Sequence, residues 1–527
     1  MSGEGATRGI FVLLSLLVVG LASIARRTQT PYPIVLVVAG LVSSLIPGMP
    51  ALALEPDLVF YVVLPPLLYA AAWMISWREL QRNMVSVISV ASGLVVFTIV
   101  GMAALAHLLF PQMGWRLALL FGAVVAPTDA TAATAIATKL RLPAQIVELL
   151  EGESLVNDAT GLLAIELGLA LTLQGVMPSA TWAAARFVYL AAAGVGIGWL
   201  VAVVVDWLER RIDDGPIEIA LSLLVPYVAY VAADGVKASG VLAVVTSGLI
   251  LSRRSATFFS PAVRLQIYAV WGSVVFILNA MVFGLIGLQL PSVVRSIGVA
   301  DLPWLVFSGA LCGAAVVVLR LLWVWPGATL SFLIRRRFLG QDVRRLPVGQ
   351  LVIFGWGGMR GVVSLAAAFS LPLVGPSGTP VAHRSLLVFL AFSVVIWTLV
   401  VHGLTLAPLA TALGLTESDD ETCEALQAHQ IVLTAALRHV EQLQRTGDAE
   451  FRAVYDDVAQ HYRERLEAID RGDDTPRQFQ RSRELSTELL LIQRRTLLAL
   501  SEQGRIDDRV RRDVERDLDL QEARGTE

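Results

Sequence analysis

The stretch that decides the fold is residues 146–173, IVELLEGESLVNDATGLLAIELGLALTL. Its flanks are hydrophobic enough to cross a membrane. Its centre holds Glu153, Ser154, Asn157 and Asp158. An ionised carboxylate at the middle of a bilayer costs about 2.5–3.5 kcal/mol on insertion scales. A helix that keeps two carboxylates there, with an amide and a hydroxyl between them, marks a polar site inside a membrane.

The rest of the chain agrees. Of 527 residues, 55% are apolar and only 16% are charged, well below the charged fraction of an ordinary soluble domain. The charges divide about equally between residues 1–415 and the much shorter remainder, so two physically different parts meet near Leu415. A net charge of −3 argues against nucleic acid as a partner. Cys312 and Cys423 form neither a disulfide framework nor a metal site. Residues 9–25 lack the basic start of a cleaved signal and read as a first membrane helix.

Runs of about 20 apolar residues span a bilayer as helix. About thirteen such runs follow one another: 9–25, 32–50, 57–76, 84–110, 115–138, 147–174, 182–207, 216–233, 239–252, 262–290, 302–333, 347–372 and 384–412. The eighth and ninth are barely separated by Asp234-Gly235-Val236-Lys237. Basic residues alternate between the connecting loops. Arg26, Arg27, Arg78, Arg82, Lys139, Arg141, Arg210, Arg211, Arg253, Arg254, Arg264, Arg335, Arg336, Arg337, Arg344 and Arg345 fall on one side, and far fewer on the other. The basic-rich side is cytoplasmic by the positive-inside rule. The N-terminus is then outside and the charged tail inside, in a multi-pass protein of the cell membrane.

At 1.5 Å per residue, Asp158 lies about 16 Å into the sixth span. Two other spans are interrupted at the same depth: the fifth at Ala126-Pro127-Thr128-Asp129-Ala130-Thr131, and the twelfth at Gly355-Trp356-Gly357-Gly358-Met359-Arg360-Gly361. Proline and clustered glycine release backbone groups, which a bilayer tolerates only where protein or a cavity satisfies them. The fifth and twelfth spans are an odd number apart and so run in opposite directions. That spacing predicts an inverted repeat with broken helices at matching positions.

On the sixth span Ser154, Asn157 and Asp158 share a helical face, with Glu153 beside it. Hydroxyl, amide and carboxylate oxygens suit a hard cation, and the carbonyl or hydroxyl of Thr128 would add another ligand. Arg360 needs a buried anion: Glu153 is the preferred partner, Asp129 the second. Asp158 then remains the titratable carboxylate, able to hold a proton or a cation but not both. Glu166 is either functional or faces a cavity. Glu148 and Glu151 fall near the cytoplasmic mouth, within reach of solvent. His107 and His402 read as packed. Arg320 either snorkels or pairs with an acidic neighbour.

Gly152 to Asp158, the Pro127-Thr128-Asp129 break, residues 356–361 and Leu64-Pro65-Pro66-Leu67-Leu68-Tyr69 together resemble the sodium/proton exchanger family, in its bacterial branch of monovalent cation/proton antiporters. The resemblance covers residues 9–412. It implies an all-α polytopic protein of thirteen helices with crossed, unwound fifth and twelfth helices, and a homodimer. It implies that Asp158 binds Na⁺ (or Li⁺ or K⁺) and H⁺ alternately with Ser154 and Thr128, that Glu153 pairs with Arg360, and that Asn157 and Asp129 support the crossing. It calls for no cofactor and no enzymatic chemistry. Many relatives carry an acid where this chain has Ala70, and the Asn157-Asp158 pair is similar to that of electroneutral members. One carboxylate then suggests one cation per proton, exchanged for pH and sodium homeostasis.

The expected domains are 1–415 in the membrane and 416–527 as a cytoplasmic helical tail, whose apolar residues recur at helical spacing (Leu426, Ile431, Leu433, Leu437, Val440). Competing readings are a K⁺-preferring or electrogenic exchanger, an intramembrane aspartyl hydrolase using Asp129 and Asp158, and a cation channel. The hydrolase lacks a Gly-x-Gly-Asp motif, and the channel lacks a selectivity filter.

Overall fold

A computed structural model describes residues 32–44, 56–75, 77–129, 142–174, 179–295, 302–337, 346–374, 381–415, 419–447 and 449–470, with shorter pieces within 133–140 and 488–518 and at 297, 340 and 341. The expected first span, Ala130, Thr131 and the tail residues 472–476 lie outside these. The described elements are helical; among the described residues no strand longer than an isolated bridge occurs. The chain forms two compact units, Met1–Ser418 and Asp419–Glu527.

The first unit contains α1 (Tyr32–Ser44), α2 (Leu64–Met74), α3 (Trp77–Leu109), α4 (Gly114–Val125), α5 (Ala144–Gln174), α6 (Ala180–Glu209), α7 (Gly215–Gly235), α8 (Gly240–Phe258), α9 (Pro261–Arg295), α10 (Leu302–Arg337), α11 (Val348–Trp356), α12 (Val362–Ser370) and α13 (Arg384–Ala412). Among the described residues, seven helices are long and apolar enough to cross a membrane. Their outer faces carry large exposed apolar side chains, such as Trp199, Val228, Ile277 and Leu322, which suit contact with lipid.

Local chemistry sets the ends. Ser179, Asp214 and Ser239 cap α6, α7 and α8 by accepting from Trp182, Ile217 and Leu242 backbone N–H. Between α7 and α8 the chain turns through Lys237 at φ 58°, so the Asp234–Lys237 stretch does separate two helices. Before α2, residues Leu58–Val63 form a widened π turn. Pro66 cannot donate to the Val62 carbonyl one turn back; the Tyr227 hydroxyl does so instead, at 3.2 Å.

Packing divides the first unit into two apolar clusters. One gathers α1, α3, α4, α5, the later half of α9 and α10 to α13. The other gathers α2, α6, α7, α8 and the start of α9. Where α1 crosses α9, a side chain on Gly40 would strike the Gly284 carbonyl, and one on Gly287 the Val37 carbonyl. Only glycine allows the backbones that close, the usual way to gain packing between membrane helices.

In the second unit α14 (Asp419–Thr446) and α15 (Arg452–Asp470) pack as a pair. Gln444 donates to Asp456 at 2.7 Å, and Arg463 to Glu441 at 3.0 Å. Such exposed polar links contribute little individually; the pair rests on its amphipathic faces.

Candidate functional site

The site is built where two helices end early. Helix α4 stops at Val125, because Pro127 disfavours helix in the residue before it and removes an N–H. Helix α11 stops at Trp356, before Gly357 and Gly358, and α12 resumes at Val362. The two breaks touch: the Asp129 backbone N–H donates to the Met359 carbonyl at 2.8 Å. Helix α5 runs past both.

Broken helices leave carbonyls without donors, and two buried arginines supply them. Arg320, from the middle of α10, donates from Nε to Gly355 O and from Nη2 to Phe354 O, both at 3.0 Å. It thereby caps the C-terminal end of α11, where a cation also suits the helix dipole. Arg360 donates from Nε to Val125 O at 3.0 Å and from Nη1 to Gly358 O. It thus ties the end of α4 to the second break. Its own N–H donates to Thr398 Oγ1 of α13 at 3.2 Å.

The expected ion pair between Glu153 and Arg360 is corrected here. Glu153 is held by Arg320 through both carboxylate oxygens, Nη2 to Oε2 at 2.7 Å and Nη1 to Oε1. The two side chains are 2% and 1% exposed, so this is a fully desolvated bidentate pair. Asp129, the second choice for Arg360, also makes no ion pair with it among those seen in the described residues. The reason is geometric. The Arg360 fork is directed at backbone carbonyls of the two breaks, while α10 delivers Arg320 beside α5. Depth counting carried the missed signal: Arg320 sits at the centre of a 36-residue helix, level with the other polar residues.

Further hydrogen bonds converge on Glu153 Oε1. Asn157 Nδ2 donates to Glu153 Oε1 at 2.9 Å and to Thr128 Oγ1 at 3.0 Å, and Thr128 Oγ1 reaches Glu153 Oε1 at 3.4 Å. Ser154 Oγ donates to the Thr128 carbonyl at 2.6 Å, so that carbonyl is already engaged. Two glycines let the pieces meet. A Cβ on Gly358 would land on the Arg320 guanidinium, and one on Gly361 on the Asp129 carboxylate.

Asp158 faces the other way. It lines a cavity of about 100 Å³ with Thr128, Asp129, Ser154, Glu151 and the start of α12. Leu64, Leu67, Leu68 and Ala71 of α2, with Val59 and Val63 before it, form the opposite wall. Of the five residues singled out for the site or its crossing, Thr128, Asp129, Ser154 and Asp158 share this cavity. Asn157 does not line it and joins the Glu153 cluster instead, with its Oδ1 buried and without a protein partner among the described residues. Glu151, expected in solvent, is a further wall residue.

Farther along α5, Glu166 pairs with Arg186 at 3.1 Å. It lines a separate, mainly apolar cavity of about 960 Å³ with Phe187, Val195, Trp199 and Asp234. His402 is buried beside Trp356 and Trp397, ring centroids 5.3 and 6.5 Å away. That is a packed position.

Residues 13–412 match the family model described as "Sodium/hydrogen exchanger, transmembrane". The chain belongs to the sodium/hydrogen exchanger family. Members of this family exchange a monovalent cation for protons across a membrane, and this chain is accordingly a multi-pass, all-helical exchanger. It is 31% identical to an uncharacterised Na⁺/H⁺ exchanger of Mycobacterium tuberculosis over 98% of this chain and 96% of that one. It is 30% identical to the Na⁺/H⁺ antiporter ApNhaP of Aphanothece halophytica over 82% and 80%. Its fold is similar to that of the sodium proton antiporter MjNhaP1 from Methanocaldococcus jannaschii, at TM-score 0.62 and 19% identity, over 79% of this chain and all of that one. Within the exchanger frame, the cavity beside Asp158 is the candidate ion site.

Proposed function

We propose that this exchanger carries Na⁺ in preference to Li⁺ or K⁺, one cation against one proton, with Asp158 as the alternating carrier. The observation that carries the reading is the shared cavity of Asp158, Ser154, Thr128 and Asp129, opened beside two helix breaks. Carboxylate and hydroxyl oxygens suit a small hard cation. A carboxylate binds either a proton or a cation, so occupancy by one displaces the other. Ser154 and Thr128 would hold Na⁺ with Asp158, and Asp129 would set the local charge. Glu153 is occupied by Arg320 and is assigned to structure. No cofactor and no covalent chemistry enter; Na⁺ and H⁺ are the cargo.

The finer architecture belongs to the same reading: thirteen spans in an inverted repeat, the fifth and twelfth crossing at the Asp129–Met359 contact. The N-terminus is outside and residues 416–527 form a cytoplasmic helical domain. The exchanger works as a homodimer in the cell membrane, serving pH and sodium homeostasis. The tail serves regulation or dimer contacts.

The test is cation-driven proton movement in proteoliposomes, with Na⁺, Li⁺ and K⁺ compared at clamped and unclamped voltage. Na⁺ should act at the lowest concentration, with a rate indifferent to voltage. Lowering pH on the cation side should raise the apparent KM for Na⁺ and leave Vmax unchanged, as competition at one carboxylate demands. A voltage-dependent rate would sink the one-for-one stoichiometry, and full exchange by Asp158→Asn would sink the carrier.

A further inference from the structure

Glu151, Ser154 and Asp158 stand at i, i+3 and i+7 on α5, one stripe of a single helical face. All three line the same cavity. At 1.5 Å per residue Glu151 lies about 10 Å from Asp158 along the helix axis, two turns nearer its N-terminal end. The wall from α2 and the turn before it is apolar, with Val59, Val63, Leu67, Leu68 and Ala71, and Thr134 adds a neutral polar group. Asp129 lies beside Asp158, at the break, and Glu153 is turned away into its pair with Arg320. Within the cavity wall, charge toward the N-terminal end therefore comes from Glu151, while Glu148, one turn farther out, is close enough to act on it electrostatically.

We infer that Glu151 is a cation-capture subsite, a second carboxylate that draws a monovalent cation into the cavity and passes it past Ser154 to Asp158. The inference rests on Asp158 being the carrier. A carboxylate, when ionised in a low-dielectric cavity, raises the local cation concentration by about 10–10³-fold. Glu151 acts on capture and not on exchange. In the proposed topology the subsite serves the cytoplasmic side.

The experiment measures Na⁺-driven proton flux by the full-length protein in proteoliposomes. Glu151→Gln should raise the apparent KM for Na⁺ about tenfold, with Vmax falling less than about twofold. The effect should be larger on the side facing the N-terminal end of α5, and should shrink when choline chloride raises ionic strength, because screening weakens charge steering. Glu151→Asp keeps the charge and should hold KM within about threefold of the parent. It also serves as the reading variant should the Gln form fail to insert, since a tenfold rise in that variant overturns the inference. Glu148→Gln, one turn farther out and outside the cavity wall, should raise KM less than Glu151→Gln does, and an equal or larger rise overturns the assignment to Glu151. An unchanged KM in Glu151→Gln, or a rise insensitive to ionic strength, overturns the capture role. If Asp158→Asn is inactive in the same assay while Glu151→Gln is unchanged, only this inference falls. If Asp158→Asn exchanges normally, the carrier assignment falls first.

Discussion

Two sides of one helix, five residues apart, treat a carboxylate in opposite ways. On the Glu153 side of α5 both carboxylate oxygens are engaged: Arg320 clamps the pair, and Asn157 and Thr128 add hydrogen bonds to Oε1. On the Asp158 side there is a cavity, with hydroxyls and a second aspartate at its wall. The closed side fixes the ends of α4 and α11 and leaves no room for a cargo ion. The open side leaves a carboxylate free to change partners. Two buried carboxylates on one helix therefore serve different ends, and burial alone does not reveal which one moves ions.

The comparison is most easily broken at Asp158. Asp158→Asn should reduce exchange to background while the purified protein elutes and melts like the parent. A large loss of thermal stability would mean that the open side is structural after all. Next comes Arg320→Ala, which strands Glu153 and uncaps α11. Removing one partner of a buried pair costs about 3–5 kcal/mol, so size-exclusion profiles after heating should show a much lower midpoint. A midpoint equal to the parent's would deny the closed side its structural role.

Arg360→Ala should cost less, about 1–3 kcal/mol, since it releases hydrogen bonds to carbonyls and leaves no carboxylate unpaired. Ranking the two arginine variants by melting midpoint checks the reassignment directly; if Arg360→Ala proves the more damaging, Glu153 depends on it after all. The smallest effect belongs to Ser154→Ala, whose hydroxyl already donates to Thr128 O. A neutral hydrogen bond contributes about 0.5–1.5 kcal/mol, so its KM for Na⁺ should rise only a few-fold, measured in the same flux assay.

Much of this site could be read from the chain. Pro127 and the glycines at 357, 358 and 361 marked two helix breaks, and the polar run on the sixth span marked the helix that passes them, because a bilayer penalises unsatisfied backbone wherever it occurs. Helix limits were legible for the same reason: α6 runs from 180 to 209 where hydropathy placed 182–207, and α13 spans 384–412 as expected. The partner of Glu153 was not legible from pattern alone. Arg320 and Arg360 are both single cations in apolar runs, and choosing between them requires knowing how α10 lies against α5 and α11. The inward turn of Glu151 was lost likewise, because solvent exposure depends on what α2 covers.

The sequence by itself determined a multi-pass helical membrane chain, the points where two of its helices break and the family of exchangers to which it belongs. These follow from hydropathy, helical rise and local backbone chemistry, all of which act along the chain. Tertiary structure alone decided which arginine neutralises Glu153, that Asn157 joins the closed side, and that Glu151 shares a cavity with Asp158. Those are contacts between residues up to 167 positions apart, and pairing at that range is set by how helices pack, which no local pattern encodes.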